Sequence, residues 1–124
     1  RLDWAGIHQR RRENYVNLLD AISGIPQLSP VFPALTAEAM PLGLPVYISG
    51  ISRDWLWDEL GKAGIGLTIH WQDIPHDPRL NEDATIVEMA GRMLTLVCDQ
   101  RTSRKQMDNM AETVKCCLRN AGPA

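Results

Sequence analysis

The chain has 124 residues, 44% of them hydrophobic and 23% charged, which suits one globular domain and excludes disordered, collagen-like and coiled-coil chains. Thirteen Lys and Arg against fifteen Asp and Glu give a net charge of −2, a poor footprint for nucleic acid or an anionic membrane as the main partner. No apolar run approaches the ~20 residues that a membrane-spanning helix needs.

Residues 3–23 predict a first helix. Trp4, Ile7, Tyr15, Leu18, Leu19 and Ile22 recur at three- and four-residue steps and so share a face. Asp3 is placed to cap its start and Gly24 to end it in a left-handed conformation. Residues 25–43 carry Pro26, Pro30, Pro33 and Pro41, which predicts an irregular connector with a short extended piece at 31–35. Leu44, Val46 and Ile48 alternate with Pro45, Tyr47 and Ser49, a strand with one buried face. Pro45 near its start suits an edge strand or the first strand residue.

Ser52 is placed to cap a helix through Ala63, with Trp55, Leu56, Leu60 and Ala63 on its apolar side and Gly64 as its stop. Ile65, Leu67 and Ile69 alternate with Gly66, Thr68 and His70 and give the clearest strand in the sequence. A loop at 72–82, a short helix at 83–90 and a strand at 93–97 follow. Ser103 with Gln106 forms a capping box that opens the last helix, whose core stripe is Met107, Met110, Ala111, Val114, Cys117 and Leu118. The expected fold class is α/β (α+β): a two-layer sandwich with a small sheet of three or four strands covered by helices, in a single domain, 1–124.

His70 falls on the strand face opposite Ile65, Leu67 and Ile69, beside Gly66 and Thr68. Such a face meets either water or another surface, so His70 is a solvated strand-end residue or a site residue. His70 and His76 near Asp73 and Asp77 lack the convergent ligand set of a zinc site, and no metal is expected. Three cysteines, two of them adjacent (Cys116, Cys117), make no disulfide framework, and an odd count without a secretory leader points to a reducing, cytoplasmic setting. Cys98 precedes Asp99 with no base in view and reads as a buried, inert thiol. Arg10, Arg11 and Arg12 spread around a helical turn and read as solvated surface. Trp4 and Trp55 fit core stripes. Trp57 and Trp71 do not, which makes them candidates for a covered interface.

The ordered segments RRENYVNLLDAISGI, LPVYISG, SRDWLWDELGKAGIGLTIHW and RMLTLVCDQRTSRKQMDNMAETV resemble the C-terminal small domain of fold-type I PLP-dependent aminotransferases, above all the DegT/DnrJ/StrS sugar aminotransferases. The likeness runs over roughly residues 10–118, with Val97 where the family commonly has proline. It implies a helix at 1–24 that links to a large PLP-binding domain, so that the chain reads as a truncated piece of a cytoplasmic, dimeric transferase. The implied reaction moves an amino group from an amino acid, glutamate by expectation, to a nucleotide-linked keto-sugar. His70 then stands where the family places a histidine close to substrate, and Trp71 becomes pocket wall or interface. The Schiff-base lysine, the carboxylate for the pyridine nitrogen and the phosphate cradle belong to the large domain. This chain alone is therefore expected to hold no PLP, to contribute no catalytic residue and to show no activity. The rival expectation is a free-standing protein-binding or dimerisation module on the same fold, with His70, Trp71 and Trp57 on the contact surface.

Overall fold

A computed structural model describes residues 1–121. The order is α1 (Trp4–Ile22), β1 (Leu28–Pro30), β2 (Gly43–Ile48), α2 (Arg53–Lys62), a 3₁₀ turn (Ile74–His76), α3 (Ala84–Arg92), β3 (Met93–Val97) and α4 (Arg104–Asn120). The strands form one antiparallel sheet in the order β1-β2-β3. This is the α+β architecture expected from the sequence.

Each helix starts where a short polar side chain can take an orphan amide. The Asp3 carboxylate accepts from the Gly6 amide, Ser52 from Trp55, and Asp83 from both Thr85 and Ile86. Ser103 and Gln106 make the reciprocal capping box on α4. Gly24 and Gly64 follow α1 and α2 at φ of 80° and 86°, values that a side chain would disfavour.

Strand alternation then divides the sheet into two faces. Leu44, Val46 and Ile48 of β2 and Leu94 and Leu96 of β3 point to the helical layer and are fully buried. They pack with Tyr15, Leu18 and Ile22 of α1, Leu56 and Leu60 of α2, and Ala111, Val114 and Leu118 of α4. Each such side chain taken out of water is worth about 1.5–3 kcal/mol. The odd-numbered residues Pro45, Tyr47, Met93 and Thr95 occupy the opposite face.

Several expectations are corrected. The extended piece near 31–35 lies earlier, at Leu28–Pro30, paired with Val46–Ile48. Residues 65–70 are not a strand. They run beside β3 with their apolar side inward, but only one bridge forms, Thr68 to Thr95. The Leu67 carbonyl is instead taken by the Trp57 indole at 2.8 Å, so the alternation reports burial without a ladder. Trp4 is 63% exposed on the first turn of α1, beyond the reach of the core, and Ala63 at the end of α2 is also exposed. Trp55 is half-buried against the core as expected.

Pro45 is not on an edge, because β2 is the central strand. Its carbonyl accepts from the Val31 amide at 2.9 Å, so its nitrogen, which has no hydrogen, also faces the β1 side. That position lies one residue past the end of β1, where the ladder needs no further donor. In β1 itself the register turns the Pro30 nitrogen outward.

Asn14 is the buried polar residue of the core, at 3% exposure. Its amide donates to the carbonyls of Asp99 at 2.9 Å and Thr102 at 3.1 Å, tying α1 to the turn before α4. Asn14→Ala leaves both carbonyls without this donor and is expected to cost about 2 kcal/mol, measured as a lower urea midpoint at unchanged m-value.

Candidate functional site

The second sheet face is not left flat. The irregular stretch 31–42 folds across it from one side, while α3 and the 70–71 corner close the other, leaving a groove of about 720 Å³. Pro45, Tyr47 and Thr95 form part of its floor, Phe32 and Leu35 one wall, and Met89, His70 and Trp71 the other. Most of this lining is apolar. The titratable groups among the lining residues are Tyr15, Tyr47 and His70 alone, with no carboxylate, lysine or arginine. A groove of this kind suits a flat apolar or aromatic surface, and the Arg92 guanidinium stands beside it, 5.8 Å from the centre of the Tyr47 ring.

His70 sits half-buried at the rim, as its strand phase requires once Leu67 is turned inward. The imidazole and the Trp71 indole lie with ring centroids 6.5 Å apart, tilted by 56°. Trp71 is 63% exposed and takes φ of 59°. A bulky residue in the left-handed region is strained, and here that conformation holds a large aromatic ring out at the mouth of the groove. Trp57 is not brought to the same place. It is 42% exposed on α2, outside the groove, and its indole N–H anchors Leu67. The structure therefore joins His70 with Trp71 and separates Trp57 from both.

The arginine run is the largest departure from the sequence reading. Arg10 is exposed, but Arg11 donates to the Gln100 side chain at 2.8 Å and to the Pro41 carbonyl at 3.0 Å. Arg12 donates to the carbonyls of Thr36 and Ala39, both at 2.7 Å. The Tyr15 hydroxyl donates to the Phe32 carbonyl at 2.6 Å. One face of α1 thus fastens the groove wall along its length. A signal was present: Arg11, Asn14, Tyr15 and Leu18 share a helical stripe, and a polar residue on an apolar stripe needs a bonded partner.

Cys98 is fully buried at the end of β3, and burial pushes its thiol up to about 11; the nearby Arg11 cation opposes that rise, and Asp99 adds to it. This is the environment of an inert thiol. Among the described residues no group of three or more His, Cys, Asp or Glu is gathered to hold a metal ion, and no helix is long and apolar enough to cross a membrane.

Neither a protein-family model nor a curated protein matches the sequence. Solved structures do match the fold. A sugar aminotransferase of Streptococcus pneumoniae, Spr1654, aligns at TM-score 0.79 and 21% identity, covering 94% of this chain and 32% of that one. The Helicobacter pylori aminotransferase PseC, involved in pseudoaminic acid biosynthesis, aligns at TM-score 0.80 and 15% identity over 92% of this chain and 33% of its own. GDP-4-keto-6-deoxy-D-mannose-3-dehydratase of E. coli, solved with hydrated PLP, aligns at TM-score 0.73 and 20% identity over 89% and 31%. The chain thus has the fold of a part of the sugar aminotransferases, in accord with its resemblance to their C-terminal domain, and spans about a third of the length of these neighbours.

Two outcomes are expected. Trp71→Gly relieves the left-handed backbone and leaves the thermal midpoint equal or higher, whereas Trp71→Val lowers it by about 1 kcal/mol equivalent, read by calorimetry. For Cys98 the folded value lies above the ordinary 9.0, so its contribution is complete below pH 9.0 and is lost as pH rises towards about 11. Urea titrations across that window are expected to show roughly 2–3 kcal/mol less alkaline loss in Cys98→Ala than in the parent chain.

Proposed function

We propose that the chain is the C-terminal small domain of a PLP-dependent aminotransferase acting on a nucleotide-linked keto-sugar, and that it shapes the substrate pocket without performing the chemistry alone. In this reading α1 links to the large cofactor domain, and His70 and Trp71 face that domain or the substrate. The observation that carries it is the fold match, which takes up nearly all of this chain and about a third of each neighbour. A unit of that proportion is one domain of a larger enzyme.

The residues present do not fit PLP. The cofactor requires an amine to form its imine, a carboxylate for the ring nitrogen and a cradle for the phosphate. Lys62 is bonded to Glu59 at 2.7 Å and Asp58 at 2.8 Å, which raises its pKa and keeps it an ammonium. Lys115 is bonded to Glu112 at 2.8 Å, and Lys105 is exposed on α4. No lysine lines the groove. The mostly apolar lining gives this domain the part of an apolar and aromatic wall. His70 can donate or accept one hydrogen bond at a sugar hydroxyl, and Trp71 can cover a ring face. One neighbour is a dehydratase, so the fold match alone does not select the reaction.

A second reading has its own support. Phe32, Leu42 and Trp71 stand exposed around the groove at 58%, 74% and 63%, a rim that favours a covering protein surface. A dimerising module would use it directly.

Incubating the chain with PLP and reducing with borohydride is expected to label its lysines no more than those of the unfolded chain. Preferential labelling of one native lysine would end the first reading. Self-association through this rim is expected under either reading, weakened about tenfold by Trp71→Ser, and sedimentation that shows a monomer at high concentration overturns it.

A further inference from the structure

Helix α3 forms part of the groove wall through Met89, yet the core does little to hold it there. Among its described residues only Ala90 is buried, and Ala90 lies outside the core cluster that α1, α2 and α4 share with the sheet. Ile86 and Met89 stand exposed. A helix of nine residues is too short to persist on its own propensity, so other bonds must dock it. Two arginines supply them around its C-terminal end. Arg92 donates through Nε to the Ile48 carbonyl at 3.0 Å, with its guanidinium against the Tyr47 ring. Arg53, the first residue of α2, donates through Nη1 to the carbonyls of Ala90 at 3.1 Å and Met93 at 2.9 Å.

Both carbonyls need an outside donor. That of Ala90 belongs to the last turn of α3, where the helix has no amide left to give it. That of Met93 shares the phase of Thr95, whose amide bonds away from β2, to the Thr68 carbonyl at 3.3 Å. It therefore faces the same border of β3, outside the ladder with β2. Arg53 needs such partners in return. A cation in the first turn of α2 meets the positive end of that helix's own dipole, which is unfavourable unless something offsets it. The Asp54 carboxylate at 2.6 Å and the negative end of α3 do so, and the Arg53 side chain is 9% exposed. The geometry points to Arg53 as a positioning residue of the groove's α3 wall. It links the helical layer, past the border of β3, to the incomplete second layer, and this role is independent of what occupies the groove and of the reading above.

Methyl-labelled methionine reads the wall directly, because Met89 and Met93 line the groove while Met107 and Met110 are buried on α4. Arg53→Leu removes every donor. It is expected to move or broaden the Met89 and Met93 methyl signals in NMR spectra and to leave those of Met107 and Met110 in place. Backbone amides of residues 87–92 are expected to exchange with solvent about tenfold faster, and those of residues 111–118 at an unchanged rate, because the loss loosens one element and not the core. If Arg53→Leu fails to fold, Arg53→Gln serves, since its amide ends too short for either carbonyl and the same split is expected. A Met89 signal that stays in place, an unchanged exchange rate in α3, or equal acceleration in α3 and α4 overturns the assignment.

Discussion

Strand alternation puts Leu44, Val46, Leu94 and Leu96 against the helices and, by the same geometry, puts Pro45, Tyr47, Met93 and Thr95 on the other side. A chain of this size has enough apolar residues to cover one sheet face well. The helical layer of α1, α2 and α4 takes that face, and the second receives only α3, a corner at 70–71 and an irregular strap. The groove exists because the second layer is incomplete. Its apolar floor is the ordinary reverse side of a core sheet, and its walls are whatever the loops supply.

Most of the frame was legible in the sequence because it rests on local chemistry. Asp3, Ser52 and Ser103 each cap a helix, Gly24 and Gly64 end helices, and the β2 alternation survives intact. Residues 65–70 were misread because alternation records which side is buried, while a strand also needs a partner for its backbone. Here a distant indole, that of Trp57, takes the Leu67 carbonyl, and no sequence period reveals such a bond. Trp4 was misread for the opposite reason: its helical phase is right, but α1 begins beyond the edge of the core. His70 and Trp71 were legible as neighbours on a suspect face. The stripe of Arg11, Asn14, Tyr15 and Leu18 signals that Arg11 needs a bonded partner, but the strap that supplies the arginines' partners was not legible, because the bonds join residues 24 to 30 positions apart with no shared pattern.

The structural neighbours include aminotransferases and a dehydratase built on one frame. A shared frame does not by itself fix a reaction, which has to be argued from the residues of a site. The groove described here is apolar, short of charge and walled by backbone that side chains hold in place.

The prolines of the sheet also govern how copies of the chain can meet. Pro30 directs a nitrogen without hydrogen to the free side of β1, and Pro33 follows where an added strand would run. At the far border residues 65–70 lie along β3 and bond it only once, enough to obstruct an incoming strand without extending the ladder. With both margins blunted, this sheet is poorly suited to edge-to-edge polymerisation.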